Sequence, residues 1–186
     1  CESNGYGDGI AFNDSISTTA MLSANSLQLQ NKGISDLTGI EDFVNVSDLN
    51  CSYNNLTVLD LSNNKDLYFL FAQDNDSLSQ VILPDSAHDC TFYENNSCIE
   101  GMYQINLSNT NISTLDLNRH YRVDQLKLYS TPLTSLSPSD MPDLRGLYHN
   151  GGFLTSLDMS GNFKLETFDV YSCDSLTAVS YTHLTL

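Results

Sequence analysis

The most reactive side chains of this sequence lie close together in one short stretch, between Leu83 and Met102. The stretch contains His88, Cys90 and Cys98. Three interpretations are open: a Cys90–Cys98 disulfide, two separate reduced cysteines, or a metal site completed by His88. Zinc usually has four ligands and more closely spaced cysteine pairs, whereas a disulfide would stabilise an exported chain with a small core. We therefore predict a Cys90–Cys98 disulfide and no metal site.

No arrangement typical of an enzyme accompanies these residues. The sequence has no Gly-x-Ser-x-Gly, no His-Glu-x-x-His and no glycine-rich phosphate loop. Its histidines are scattered, and His149 falls at an inward strand position, which favours a tolerated core residue over a general base. The sequence therefore predicts a non-enzymatic protein without a cofactor.

A repeated apolar phrase must position these side chains. Its first apolar residue recurs at spacings of 22, 21, 35, 21, 21 and 21, at Ala24, Val46, Leu67, Met102, Val123, Leu144 and Leu165. Ordering one such turn costs roughly 20 to 40 kcal/mol, while burying its six apolar side chains returns only about 1.5 to 3 kcal/mol each. Turns must therefore stack. We predict a solenoid of about seven turns, with a parallel sheet, short strand or irregular return segments, and few or no long helices.

Two stretches, at 27–41 and 49–64, resemble the bacterial leucine-rich repeat family. The resemblance is to internalin-like and Bacteroidota-type repeats of about 21 to 22 residues. It implies that the sheet lines a concave face, and that an asparagine after each strand bonds the loop backbone. It carries no activity by itself. The asparagine column here is Lys32, Asn54, Asn75, Thr110, Thr131, Gly152 and Cys173.

Three regions follow from the repeat boundaries. Residues 1–25 are predicted to be an N-terminal tether or cap. They resemble a degenerate calcium loop in which Gly9, Ala11 and Ala20 stand at ligand positions, so no calcium site is expected. Residues 26–180 form the repeat domain, with an insertion at 84–101. Residues 181–186 are interpreted as a suspect non-native or truncated tail, and Cys1 as a candidate for lipidation.

The charge of the chain excludes one class of partner. With 23 acidic and 7 basic residues, the net charge of −16 repels phosphate backbones and anionic membranes. No apolar run reaches the length that crosses a bilayer. We therefore predict no nucleic acid partner, membrane contact only through a lipid at Cys1, and an extracellular or bacterial cell-surface location.

Aromatic residues cluster at positions that should point outward from the sheet. Eight of the 18 aromatic residues (10 Tyr and 8 Phe) fall there, where the core does not need them. Tyrosine suits recognition because it offers apolar area and a hydroxyl at small entropic cost. A structural ladder across neighbouring strands is the alternative. The predicted ligand-binding residues on the concave face are Tyr53, Tyr68, Phe69, Phe71, Tyr103, Lys127, Tyr129, Tyr148 and Tyr171.

The function that agrees with these features is recognition of a protein ligand by a surface or secreted bacterial protein. A carbohydrate-binding or adhesin module is an alternative, since exposed aromatic rings also suit glycans. A structural spacer of a larger surface protein is the third.

Overall fold

The computed structural model describes residues 17–84, 102–117, 123–138 and 141–180. These residues include a short α-helix, a 3₁₀ turn and eleven strands, each strand of three to five residues. No helix in this part of the chain has the length and apolarity needed to cross a membrane. The elements are α1 (Thr18–Ser23), β1 (Ser26–Gln28), the 3₁₀ turn (Ile40–Asp42), β2 (Asp48–Asn50), β3 (Val58–Asp60), β4 (Phe69–Phe71), β5 (Gln80–Ile82), β6 (Gln104–Asn106), β7 (Gln125–Tyr129), β8 (Gly146–Asn150), β9 (Ser156–Asp158), β10 (Thr167–Tyr171) and β11 (Ala178–Ser180).

Seven strands form one parallel sheet in the order β1-β2-β4-β6-β7-β8-β10. Between them, short return segments include the paired strands β3–β5 and β9–β11. The sheet confirms the predicted solenoid and its short return segments. The aligned central row of the sheet is Leu27, Leu49, Leu70, Ile105, Leu126, Leu147 and Phe168.

The core is a column of apolar side chains shared by neighbouring turns. Leu49 and Leu70 are fully buried, as are Leu126 and Leu147. Each turn also contributes leucines from its return segment, such as Leu59, which pairs with Val81 across β3 and β5. Because each row is covered by the rows above and below it, apolar burial accumulates along the axis of the coil.

Buried asparagine side chains join successive turns by forming hydrogen bonds with the backbone of those turns. The Asn54 side-chain amide donates to the carbonyls of Leu29 and Cys51, at 2.8 and 2.9 Å. Its carbonyl oxygen accepts hydrogen bonds from the backbone N–H groups of Lys32 and Ile34, both at 3.0 Å. The asparagine that the family resemblance implied therefore supplies loop partners at this position.

A second asparagine column, on the return side, was not predicted. Asn64 donates to the carbonyls of Ile40 and Phe43, at 2.8 and 3.1 Å, in the preceding turn. Asn162 donates in the same way to Pro138 and Met141, at 2.6 and 2.8 Å. The signal in the sequence is the fourth residue of Leu-Ser-Asn-Asn and of Met-Ser-Gly-Asn, which end at these two positions.

His149 occupies the space left by the missing side chain at Gly152. A Cβ added to Gly152 would lie 3.0 Å from His149 Nε2 and 2.9 Å from the carbonyl oxygen of Thr131. His149 is fully buried, and its Nδ1 lies 2.9 Å from the carbonyl oxygen of Leu128. Since a carbonyl can only accept, Nδ1 is the donor. The imidazole thus bonds to the preceding turn as Asn54 does, which supports its interpretation as a core residue.

Replacing Asn75 should show how much this hydrogen bonding contributes. Its amide donates to the Cys51 and Ala72 carbonyls, and its oxygen accepts from the Leu56 N–H. Asn75→Ala should lower the free energy of unfolding by about 2 to 4 kcal/mol, because buried backbone groups lose their partner. Asn75→Thr should recover part of that loss, as threonine bonds its own strand at Thr110. Urea unfolding monitored by circular dichroism measures both, with exposed Asn63→Ala as the control.

The fit between His149 and Gly152 should appear as an energetic coupling. Gly152 has φ of 71°, so Gly152→Ala adds both backbone strain and close contacts, and should cost about 2 to 4 kcal/mol. Gly33→Ala, at φ of 69° with open space around it, should cost only about 1 kcal/mol. In a His149→Ala background the cost of Gly152→Ala should fall by at least about 0.5 kcal/mol in a double-mutant cycle. Strict additivity would show that ring and glycine are independent.

Candidate functional site

The outward side of the seven-stranded sheet, called the sheet face below, displays the predicted binding residues. Strand alternation buries the central residue of each strand and turns its neighbours outward. In β4, for example, Leu70 is buried while Phe69 and Phe71 are half-buried on the face. Of the nine predicted residues, three are exposed (Tyr53, Tyr103 and Tyr171), the other six are half-buried, and none belongs to the buried core.

Four of the predicted aromatic residues form one cluster, the four-ring group. Tyr68 stacks on Tyr103 with ring centroids 5.5 Å apart, and Phe69 meets both rings edge-on at 4.7 and 5.7 Å. Phe71 stacks on Phe69 at 6.2 Å. Phe69 and Phe71 lie on β4, Tyr68 and Tyr103 immediately precede β4 and β6, and 41% of Tyr103 is exposed. These contacts stabilise the rings laterally, as the structural alternative requires, and still leave an apolar surface open.

A charged row continues from Tyr103 along the starts of the strands. Arg145 Nε lies 3.2 Å from a carboxylate oxygen of Asp124, and its guanidinium also approaches Glu166 at 3.9 Å. The negative charge of Asp124 raises the pKa of Tyr103. Arg145 thus forms ion pairs with two carboxylates of the face. Because its pKa is raised, Tyr103 stays neutral at physiological pH.

Three further tyrosines form the three-tyrosine group, Tyr129, Tyr148 and Tyr171, on β7, β8 and β10. The Tyr129 ring lies 6.1 Å from Tyr148 and 6.4 Å from Tyr171. Its hydroxyl donates to Asp169 at 2.6 Å. Burial, followed by this bond and the negative charge of Asp169, raises the pKa of Tyr129. The Tyr129 hydroxyl therefore keeps its proton, which it donates in the hydrogen bond to the Asp169 carboxylate.

Two polar side chains complete the surroundings of this group. Lys127 Nζ lies 5.4 Å from the centroid of the Tyr148 ring, a cation–π geometry. The Asn150 amide donates to the Tyr171 hydroxyl at 2.9 Å. Half of Tyr171 is exposed, so the group presents ring surface as well as polar atoms.

Tyr53 stands apart from both groups. In the part of the chain that the structure describes, no other ring contacts it. It is 58% exposed and has φ of 56°. The structure thus brings seven of the eight predicted aromatic residues into two groups and leaves one at the edge of the face.

Two exposed phenylalanines were not predicted. Phe153 is 62% exposed after the Gly151-Gly152 turn, and Phe163 is 73% exposed on the return side. Neither occupies a column of the repeat phrase, so spacing gave no signal for them. Phe153 could have been predicted only from the composition of the loop that follows its strand, where a large apolar residue is unusual.

Carboxylates also line a shallow groove on the return side, near the first two turns. Asp36 accepts hydrogen bonds from the hydroxyl and the backbone N–H of Thr38, which lower its pKa. Asp60 accepts one from the backbone N–H of Ser62, and its pKa is lowered in the same way. These carboxylates shape turns, so the groove is explained by local structure.

The predicted Cys90–Cys98 disulfide and the lipidation site at Cys1 lie outside the described residues. Within them, Cys51 and Cys173 are free. Burial raises the pKa of the Cys51 thiol to about 12, so this cysteine is an inert core residue. No group of three or more histidine, cysteine or acidic side chains within the described ranges could hold a metal ion.

Comparison with known proteins agrees with the repeat architecture. No family model matches the chain. The chain is 45% identical over 51 residues to internalin J of Listeria monocytogenes serotype 4b (strain F2365), a match covering 27% of this chain and 6% of that protein.

A solved structure is also similar to the chain: the functional domain of InlJ from Listeria monocytogenes, described as including a cysteine ladder. It has a TM-score of 0.45 and 17% identity, over 91% of this chain and 48% of that one. The chain thus spans only a small part of the curated protein. Together, the repeat phrase, the seven-stranded parallel solenoid and the match to internalin J make this chain similar to internalin-like leucine-rich repeat proteins.

Proposed function

We propose that this chain is a non-enzymatic recognition module that binds a protein partner through its sheet face. The observation that carries the proposal is the placement of seven aromatic rings in two contiguous groups on the outward side of the sheet. The exposed surface of these rings is not needed by the buried core, whereas tyrosine and arginine dominate binding energy at protein interfaces. The similarity to internalin J supports a bacterial surface or secreted location.

The backbone of Tyr53 gives independent support. The fourth residue after the central row of the sheet has positive φ in all seven turns, at Asn31, Tyr53, Asp74, Asn109, Ser130, Gly151 and Ser172. Glycine, asparagine and aspartate tolerate this conformation, but a bulky aromatic residue does not favour it. A strained residue with an exposed ring is expected where the side chain serves binding.

The proposal is tested by removing rings from the sheet face. Phe71, Tyr129 and Tyr148 are replaced together by serine, and the control variant replaces exposed residues of the return side, Val58, Ile82 and Phe163, by serine. Wild-type protein is used to select binders from a displayed library of protein fragments, and dissociation constants are then measured by biolayer interferometry.

We expect the sheet-face variant to weaken binding at least about tenfold and the return-side variant to change it less than about twofold. Equal losses in the two variants, or none in either, would contradict the proposal. Circular dichroism of both variants verifies that the solenoid remains folded.

Carbohydrate is the second candidate ligand, favoured by one observation. The Asn150 amide and the Asp169 carboxylate lie beside the three-tyrosine group. Tyrosine rings can stack on a sugar while such polar groups form hydrogen bonds with its hydroxyls. A glycan array probed with the same variants decides between the two. Signals that depend on the sheet-face rings, with no protein binder selected, would favour carbohydrate.

Relief of strain at Tyr53 should separate stability from binding. Tyr53→Asn should raise the free energy of unfolding by about 0.5 to 1 kcal/mol, because asparagine tolerates the left-handed backbone. The same change at Tyr103 has no such strain to relieve and removes two ring contacts, so it should be destabilising. Thermal and urea unfolding measure both. A destabilising Tyr53→Asn would mean that the Tyr53 ring contributes packing that outweighs its backbone strain.

A further inference from the structure

The carboxylates at the start of the sheet face already have a cationic partner. Arg145 lies between Asp124 and Glu166 and approaches both of them. Further along the strands, Asp74 accepts a hydrogen bond from the Asn109 amide at 2.8 Å, at the edge of the face. The acidic groups at these positions are therefore occupied by side chains of the protein itself.

Asp169 differs from them, since it lies among aromatic rings. Within the described residues it forms no ion pair, and its hydrogen-bond donor is the neutral hydroxyl of Tyr129. In the register of the sheet, Lys127 pairs with Tyr148, and Tyr148 pairs with Asp169. Lys127 is thus two strands away, about 9 to 10 Å along the sheet, and lies over the Tyr148 ring instead.

The surface already demonstrates that its rings accept a cation. The Lys127 ammonium lies 5.4 Å from the centroid of Tyr148, where the negative face of the ring attracts positive charge. Tyr129 and Tyr171, 6.4 Å apart, offer further ring surface near Asp169. A second cation near Asp169 would gain both a carboxylate and ring contacts.

The charge of the whole chain adds a longer-range attraction. Its net charge of −16 favours the approach of a basic partner and disfavours an acidic one. Among cationic side chains, the planar guanidinium of arginine can stack on a tyrosine ring and donate two hydrogen bonds to one carboxylate, whereas the ammonium of lysine is a point charge.

We propose that Asp169 and the three-tyrosine group form the contact site for an arginine side chain of a basic protein segment. This inference rests on the proposed function and specifies the chemistry of the partner. The carboxylate receives the guanidinium, and the neighbouring tyrosine rings cover its flat faces. The four-ring group supplies apolar contact to other side chains of the same partner.

The test uses an acetylated and amidated Gly-Arg-Gly-Arg-Gly peptide as the probe. The same peptide with citrulline in place of arginine keeps the shape and removes the charge. Binding to the whole chain is measured by NMR, from chemical-shift changes of labelled tyrosine rings during titration. The arginine peptide should shift the rings of Tyr129, Tyr148 and Tyr171, and the citrulline peptide should bind at least about fivefold more weakly.

Two variants separate a specific site from the general negative field. Asp169→Asn removes the carboxylate charge, and Asp158→Asn makes the same change of net charge on return strand β9, where Asp158 is exposed. Asp169→Asn should weaken the arginine peptide about fivefold to tenfold, and Asp158→Asn less than about twofold.

Equal effects of Asp169→Asn and Asp158→Asn, or equal binding of the arginine and citrulline peptides, would overturn the inference. The citrulline comparison uses wild-type protein, so it remains decisive if a variant misfolds. The proposed function can fail separately. If the serine variant of the sheet face loses protein binders while Asp169→Asn and citrulline have no effect, protein recognition stands and the arginine site falls. If the probe binds as expected but the serine variant keeps all binders, the arginine site stands and the proposed recognition of protein through the sheet face falls.

Discussion

The constraint on which the whole structure depends is that no turn can complete its own interior. Leu49 is fully buried because Leu27 and Leu70 lie on either side of it in register. Asn54 satisfies carbonyls of its own turn and of the turn before it. Apolar packing and backbone hydrogen bonding therefore act along the same axis, and both fail if two turns slip relative to one another. The side chains of the sheet face take no part in this arrangement, which leaves their identity open to selection for binding.

Much of the fold could be predicted because burial in a solenoid is periodic in the sequence. The columns of leucines gave the seven strands, and one long spacing located the insertion between Leu83 and Met102. The exceptions are contacts whose partners share no period. Asn64 and Asn162 fill equivalent places far apart in the chain, with other residues between them. His149 fills the space beside Gly152 only because the two residues lie close together at the end of β8, and neither residue type alone predicts this contact.

Strand alternation predicted which residues of the candidate site point outward, but it did not predict that they form the four-ring group and the three-tyrosine group. Tyr129 and Tyr171 belong to strands that are not adjacent, yet their rings lie 6.4 Å apart, and Asn150 lies between the two residues in the register of the sheet. The bond from Tyr129 to Asp169 likewise spans two strands. Such contacts depend on the direction in which each side chain points, and the residue types in the repeat do not reveal that direction. Nor does the sequence reveal that Tyr53 adopts a left-handed backbone that smaller residues take in the other turns.

Strands β4 and β6 pair in the same frame as every other neighbouring pair, although 35 residues separate Phe69 from Gln104 and only 21 separate Gln104 from Gln125. The sheet therefore fixes where the chain must return and places no demand on the length of the path. Such a protein can evolve by lengthening one connection without any change to its neighbours. An alignment that assumes a constant period will lose phase at that point, and relatives with the same architecture will then seem to share only a fragment.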